Sequence, residues 1–193
     1  MKSALHAVFY QPLKSQAPVS NSQAFRAFLS FAFMCASTGV LAAGFDSEYE
    51  EKRWEEVEAQ LPVFPKQDSL DAFFVSAASD NKFMVDRDSI SVGVDGVVRY
   101  TLVVQSPSGV QNVSYDGLRC ATAERRLYAF GRSDKTWSKA RSNQWVKIQE
   151  STLNRQHAAL YFEYFCPNGS VVRDAEEARM ALRSGGHPST VRR

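Results

Sequence analysis

The chain has 193 residues, of which 44% are hydrophobic, 12% aromatic and 23% charged, the usage of a folded protein rather than a disordered or fibrous one. One domain is the expectation at this length, with enough apolar surface to fold without a metal. The formal charge of +2 becomes −1 once residues 1–43 are set aside, and a near-neutral body argues against nucleic acid as a partner, because that affinity comes mainly from neutralising phosphates.

Residues 1–43 contain no acidic side chain. A stretch bearing Lys2, Lys14 and Arg26 leads into a 16-residue apolar run, Phe28 to Ala43, closed by the small residues Ala42 and Ala43. Basic flank, apolar middle and small-residue end are the parts of a secretory signal peptide, with cleavage expected after Ala42 or Ala43. The run is short of the roughly 20 residues that span a bilayer. A retained N-terminal anchor is the alternative, and membrane association is expected only through such an uncleaved segment. Cys35 would leave with the signal, and Ala32, Phe33 and Met34 before it lack the small residue that lipidation wants just upstream.

Residues 44–190 read as a single α+β domain, with 187–193 as a polar, mobile tail. Within the domain, Phe45–Leu61 carries a helical pattern. Ser47 and Glu50 have capping-box spacing, Trp54, Val57 and Leu61 recur at three and four residues, and Pro62 and Pro65 end the run. Its acidic side chains, Glu48 to Glu58, suit a solvated face near a helix N-terminus.

From Ala72 the period becomes two. Phe73–Ser76 and Phe83–Val85 read as short strands around Ser79-Asp80-Asn81. Ile90–Val94 and Val97–Gln105 flank Asp95-Gly96, which predicts a two-residue type I′ hairpin. In the second strand Val98, Tyr100, Leu102 and Val104 alternate with Arg99, Thr101 and Gln105, which predicts a sheet buried on one side. Val110–Tyr115 follows, then Asp116-Gly117 as a bulge or turn, Leu118–Cys120, Arg126–Arg132 and Trp145–Ile148. Helix returns at Arg155–Phe165, capped by Asn154, and again after Asp174, whose spacing to Glu177 suits a cap; Gly185-Gly186 ends it. The fold class is therefore α+β: an antiparallel meander of six or seven strands with helices packed on one face.

With Cys35 removed, Cys120 and Cys166 form an even pair in a chain bound for an oxidising compartment, and a disulfide between them is expected. Two unrelated buried thiols are the alternative. Their spacing is not that of a CxxC redox motif, and two cysteines without nearby histidine make a poor zinc site. No metal or cofactor is expected.

Catalytic signals are sparse. The chain has no GxSxG, HExxH, P-loop or GxGxxG pattern. His157 is the residue on which a hydrolase or transferase would rest, against the plainer reading of a helix histidine bonded to backbone or water. Asp86, Asp88 and Asp95 are too sparse for a calcium loop. Charge is unevenly placed: residues 44–68 carry net −5 and residues 119–155 net +6. Within the second stretch, Arg119, Arg125, Arg126, Arg132, Lys139 and Arg141 interleave with Trp137 and Trp145, a combination able to hold an anionic ligand by Coulomb attraction and cation–π contact. These bases could equally neutralise the acidic first segment.

Several longer strings carry a resemblance. They include Phe73-Phe74-Val75-Ser76-Ala77-Ala78, Asp95 through Val104, Asn112 through Cys120, Leu127 through Arg132, Asn154 through Tyr161, and Gly185-Gly186-His187-Pro188-Ser189. From Glu50 to Thr190 the chain resembles the cryptic neisserial protein family of beta-proteobacterial envelopes. The resemblance implies an exported single domain and no catalytic residues to carry over. In pattern alone, the strand ending Val85-Asp86, the hairpin, and Cys120 followed by Arg125-Arg126 resemble the surface-adhesin E domain. The functional expectation is a periplasmic or outer-membrane-associated, non-enzymatic module that binds an envelope component or protein. A His157 enzyme and a surface adhesin are the alternatives.

Overall fold

The computed structural model describes residues 53–149 and 155–190. The export segment 1–43, the Ser47–Glu50 capping spacing, the Asn154 cap and residues 191–193 lie outside them. Strands β1 (Leu70–Phe73), β2 (Lys82–Val92), β3 (Val97–Gln105), β4 (Gln111–Arg119) and β5 (Glu124–Gly131) follow one another as an antiparallel meander. Two short strands, β6 (Trp137–Lys139) and β7 (Val146–Lys147), share the outer edge of β5: β6 pairs with residues 129–131 and β7 with residues 124–125. The α+β meander predicted from the alternating pattern is the fold observed.

The predicted strands Phe83–Val85 and Ile90–Val94 are one strand, β2, interrupted by a bulge. Asp86 pairs with Thr101 and Ser91 with Arg99, so six residues on β2 span three on β3. Ser89 bridges the gap: its hydroxyl donates to the Asp86 carbonyl at 2.8 Å and accepts from the Thr101 amide at 2.8 Å. The β2–β3 connection differs from the two-residue type I′ turn expected. Gly93 and Val97 close it by a backbone bond of 3.0 Å, Gly96 donates to Gly93 at 3.0 Å, and Gly96 has φ +73°. The longer loop needs one left-handed residue, and Gly96 supplies it without a Cβ penalty. Asp116-Gly117, expected as a bulge or turn, lies inside the continuous β4; the bulge beside it is on β5, where Tyr128 is the extra residue between Leu127, paired with Asp116, and Ala129, paired with Tyr115.

One face of the sheet receives the helices. α1 (Arg155–Ala159) widens directly into a π-helical stretch, Leu160–Phe165, in which the Cys166 amide reaches the Tyr161 carbonyl five residues back at 3.1 Å. The wider turn places Leu160, Tyr161, Tyr164 and Phe165 all inward. Tyr100 packs on Phe165 with ring centroids 5.3 Å apart, and Phe73 on Tyr164 at 5.7 Å. α2 (Ala175–Arg183) adds Ala178, Ala181 and Leu182 to the same core. Each large side chain buried here contributes about 1.5–3 kcal/mol. Cys120, following β4, is disulfide-bonded to Cys166 at the end of the π-helical stretch, with Cα atoms 5.4 Å apart. The pairing expected from the cysteine count is present.

The opposite face corrects two expectations. Residues 53–61, read as the second half of a helix, have no regular secondary structure. Together with residues 62–65, which also lack regular secondary structure, they run as an extended strap across β3, β4 and β5, with Trp54 and Glu56 partly buried and their neighbours Arg53, Glu55 and Val57 exposed. The three- and four-residue spacing of Trp54, Val57 and Leu61 coincides with a helical period. The strap's strong partners, however, lie 38 to 89 residues away, on the β2–β3 loop and just before β7, and they hold it extended. The strap, with Trp137, covers the second face, so Val97 to Val103 of β3 are buried on both sides rather than one.

Of the polar C-terminal segment, residues 187–190 lie against the π-helical stretch. The His187 amide and the Thr190 hydroxyl both donate to the Glu163 carbonyl, at 2.7 and 3.0 Å.

Candidate functional site

The basic-aromatic residues expected to act together are divided by the pleat of β5 and its bulge. Arg119, Arg126, Trp137 and Trp145 meet the strap; Arg125, Lys139 and Arg141 line a groove at the β5 edge; Arg132, exposed on the β5–β6 turn, donates to the Ser138 hydroxyl at 3.2 Å.

On the strap side a single carboxylate organises the group. Glu56 Oε1 accepts from the Tyr128 hydroxyl at 2.7 Å, and Oε2 accepts from Trp145 Nε1 at 3.0 Å and from Arg126 Nη1. Arg99 Nη2 lies 4.0 Å from the same carboxylate. The floor is set by register: Gly117 of β4 pairs with Arg99 on one side and Arg126 on the other. A Cβ there would stand 2.7 Å from the Tyr128 hydroxyl, so glycine leaves the room in which that ring reaches Glu56. Burial, reinforced by the Glu56 carboxylate, raises the pKa of Tyr128 well above the ordinary tyrosine value, so it acts as a donor.

The same cradle binds strap backbone. Arg99 Nη2 donates to the Val57 carbonyl at 2.7 Å, Asp95 Oδ2 accepts from the Val57 amide at 2.8 Å, and Trp137 Nε1 donates to the Pro62 carbonyl at 2.9 Å. Arg99 also pairs with Asp95 at 2.6 Å. Burial would raise the Asp95 pKa, but the Arg99 hydrogen bond and the Val57 amide outweigh it and hold the carboxyl ionised. Arg119 lies 3.7 Å above the Trp54 ring. Glu56, Asp95, Arg99 and Gly117 were not singled out as site residues by sequence reasoning; the opposite charges of the two segments were the signal for half of this arrangement.

At the β5 edge, residues 140–145 arch away between β6 and β7, attached where the Ala140 amide donates to the Tyr128 carbonyl at 2.9 Å. Outside the arch lies a groove of about 430 Å³ walled by Leu127, Phe130 and Val146, with Arg125, Lys139 and Arg141 beside it. Phe130 is 51% exposed and Val146 50%. Lys139 and Arg141 are exposed and make no ion pair among the described residues. The groove is thus apolar along its wall and cationic at its rim.

The third polar group is internal. His157, 4% exposed, has its Nδ1 3.2 Å from the Tyr100 hydroxyl, and burial, then the Arg125 charge, brings its pKa down to about 3. Its ring is neutral at ordinary pH, and His157 is among the residues lining a groove of about 510 Å³. Asp116 lies on the strand beside Tyr100 and accepts from the Ser114 hydroxyl. No carboxylate hydrogen-bonds His157 among the described residues, so the acid that would orient a catalytic imidazole is missing from its contacts. Among these residues there is also no cluster of three or more His, Cys, Asp or Glu able to hold a metal, and no helix long and apolar enough to cross a membrane.

Residues 49–183, from just before the strap through α2, match the CNP1-like family. The chain belongs to that family. Among CNP1-like proteins it is similar to the cryptic neisserial protein 1 of Neisseria gonorrhoeae (strain ATCC 700825 / FA 1090), with 27% identity over 161 residues, covering 67% of this chain and 78% of the relative. No solved structure matches the chain.

Proposed function

We propose that this CNP1-like chain is an exported cell-envelope domain that binds an anionic, partly apolar envelope component at the outer edge of β5. The observation that carries the binding reading is the pairing of an exposed apolar wall, Phe130 and Val146, with Lys139 and Arg141 on its rim. An exposed apolar surface rimmed by polar residues is a recurrent mark of a ligand-binding groove. A ligand with an anionic head and an apolar body meets both halves at once; a purely polar polyanion would leave the wall uncovered. Export is supported by the Cys120–Cys166 disulfide, a bond characteristic of oxidising compartments, and by the 28–43 apolar run with its basic flank.

The test is titration of the protein with lipopolysaccharide micelles, followed by tryptophan fluorescence at low and physiological salt. Reversing both rim charges with K139E and R141E weakens binding by roughly tenfold or more, because two charge-assisted contacts are lost. Reversing Arg173, whose side chain is 78% exposed in the segment preceding α2, leaves it unchanged. No saturable binding, or equal binding by the rim variant, contradicts the proposal.

A further inference from the structure

We propose that the strap is an internal ligand, and that the cradle beneath it is a receptor for an extended acidic peptide of a partner protein, closed in cis by Glu56. This site lies on the sheet face and adjoins the β5-edge groove, Leu127, Lys139, Ala140 and Ser142 being common to the linings of both. Three observations carry it.

The first is the chemistry of recognition. Donors from β5 and from the arch before β7 converge on one carboxylate, Glu56. Beside it the body holds the strap by its main chain, through Asp95 and Arg99 at Val57 and Trp137 at Pro62. Contacts to main chain recognise any extended peptide. Around Val57, side-chain selection is confined to an aromatic at the Trp54 position, stacked under Arg119, and a carboxylate two residues later, while further along Phe64 packs on Trp137. The backbone contacts favour a peptide over an acidic glycan.

The second is incomplete satisfaction. Arg99 Nε, Arg119 Nε and Arg126 Nε are buried without a hydrogen-bond partner among the described residues. All three belong to the cradle, and each buried donor left unpaired is unfavourable. The strap fills the cradle without using all of its donors.

The third is loose seating. Val57, Leu61 and Val63 on the strap are 43%, 39% and 81% exposed. Cavities of about 370 and 420 Å³ flank Glu56 and Val57. The strap's ring contacts are Trp54 on Trp145 and Phe64 on Trp137, and a segment outside the sheet ladder, with its aliphatic side chains exposed, opens at lower free energy than the strands below it.

The test uses the full chain carrying W54A and E56A, which empties the two side-chain positions, and a synthetic peptide of residues 53–65 as probe. The peptide binds the double variant saturably. Replacing its Glu56 by Gln weakens binding about tenfold or more, as loss of a charge-assisted carboxylate contact requires. Adding R126A to the receptor abolishes binding, and the unsubstituted chain binds the peptide more weakly because its own strap competes at high effective concentration. No binding to a double variant whose disulfide and circular dichroism are intact overturns the proposal. So does equal binding of the Gln peptide, and so does binding of oligogalacturonate in place of peptide. Should the double variant fail to fold, hydrogen exchange on the unsubstituted chain decides: a Val57 amide exchanging at least about a hundredfold faster than the Thr101 amide supports an opening strap, and equal rates overturn it.

Discussion

The Tyr128 hydroxyl stands over Gly117, 2.7 Å from the position a Cβ on that glycine would occupy. The same hydroxyl donates to Glu56 at 2.7 Å, so a backbone detail of β4 governs how the strap is held. In G117A, Val97 Cγ1 would also meet the new methyl at 3.1 Å, and the Tyr128 ring must move. The expected outcome is a loss of about 1–3 kcal/mol in urea unfolding, with a change in Trp145 emission as Glu56 leaves its indole. Unchanged stability and emission would show that the ring has slack.

Two buried groups oppose each other in acid. Burial pushes the Asp116 pKa up to about 6, against the Ser114 hydrogen bond and the Arg125 charge. Between its unfolded value of 3.8 and about 6 the folded state therefore binds the extra proton, and this group makes stability increase as pH falls. His157 has the reverse sign. With its pKa at about 3 when folded against 6.5 unfolded, the unfolded chain takes the proton, and stability falls as pH drops below 6.5. The two slopes nearly cancel from pH 6 to 4. D116N is predicted to lose stability steadily from pH 6.5 downward, whereas H157N gains stability towards pH 4. Urea midpoints across that range check both; identical profiles for the two variants would contradict the assignment.

The Cys120–Cys166 bond joins the sheet to the helical layer across a separation of 46 residues. In the chain-entropy account its loss costs about 4 kcal/mol. The C120S/C166S double variant is accordingly expected to melt on the order of 10 °C lower. A change of under about 2 °C in a scanning experiment would show that the packing between these layers holds without the bond.

Asp174 accepts from the Glu177 amide at 2.9 Å at the start of α2. D174A removes that cap and should cost about 1 kcal/mol, read as a smaller urea midpoint with an unchanged slope.

Local patterns made much of this fold legible. Alternation across Val97–Gln105, the Asp174 cap and the even cysteine pair led directly to β3, α2 and the disulfide. Misreadings arose where local pattern and distant partner disagree. Trp54, Val57 and Leu61 fit a helix face, yet Trp54 donates to the Asp95 carbonyl 41 residues away and Glu56 meets Trp145 89 residues away. β6, with three residues, is too short to show a period. The interleaved bases and aromatics were visible as composition, but their division between strap cradle and edge groove depends on the β4–β5 register shift at Tyr115/Asp116, which no local signal carries.

The most direct test of the binding account is photocrosslinking in living cells, with a photoreactive residue placed in turn at Lys139, Arg141 and, as control, Arg173. The account predicts adducts with one cell-envelope component from positions 139 and 141 and none from 173. Capture of cytosolic components alone, or the same adducts from all three positions, would contradict it.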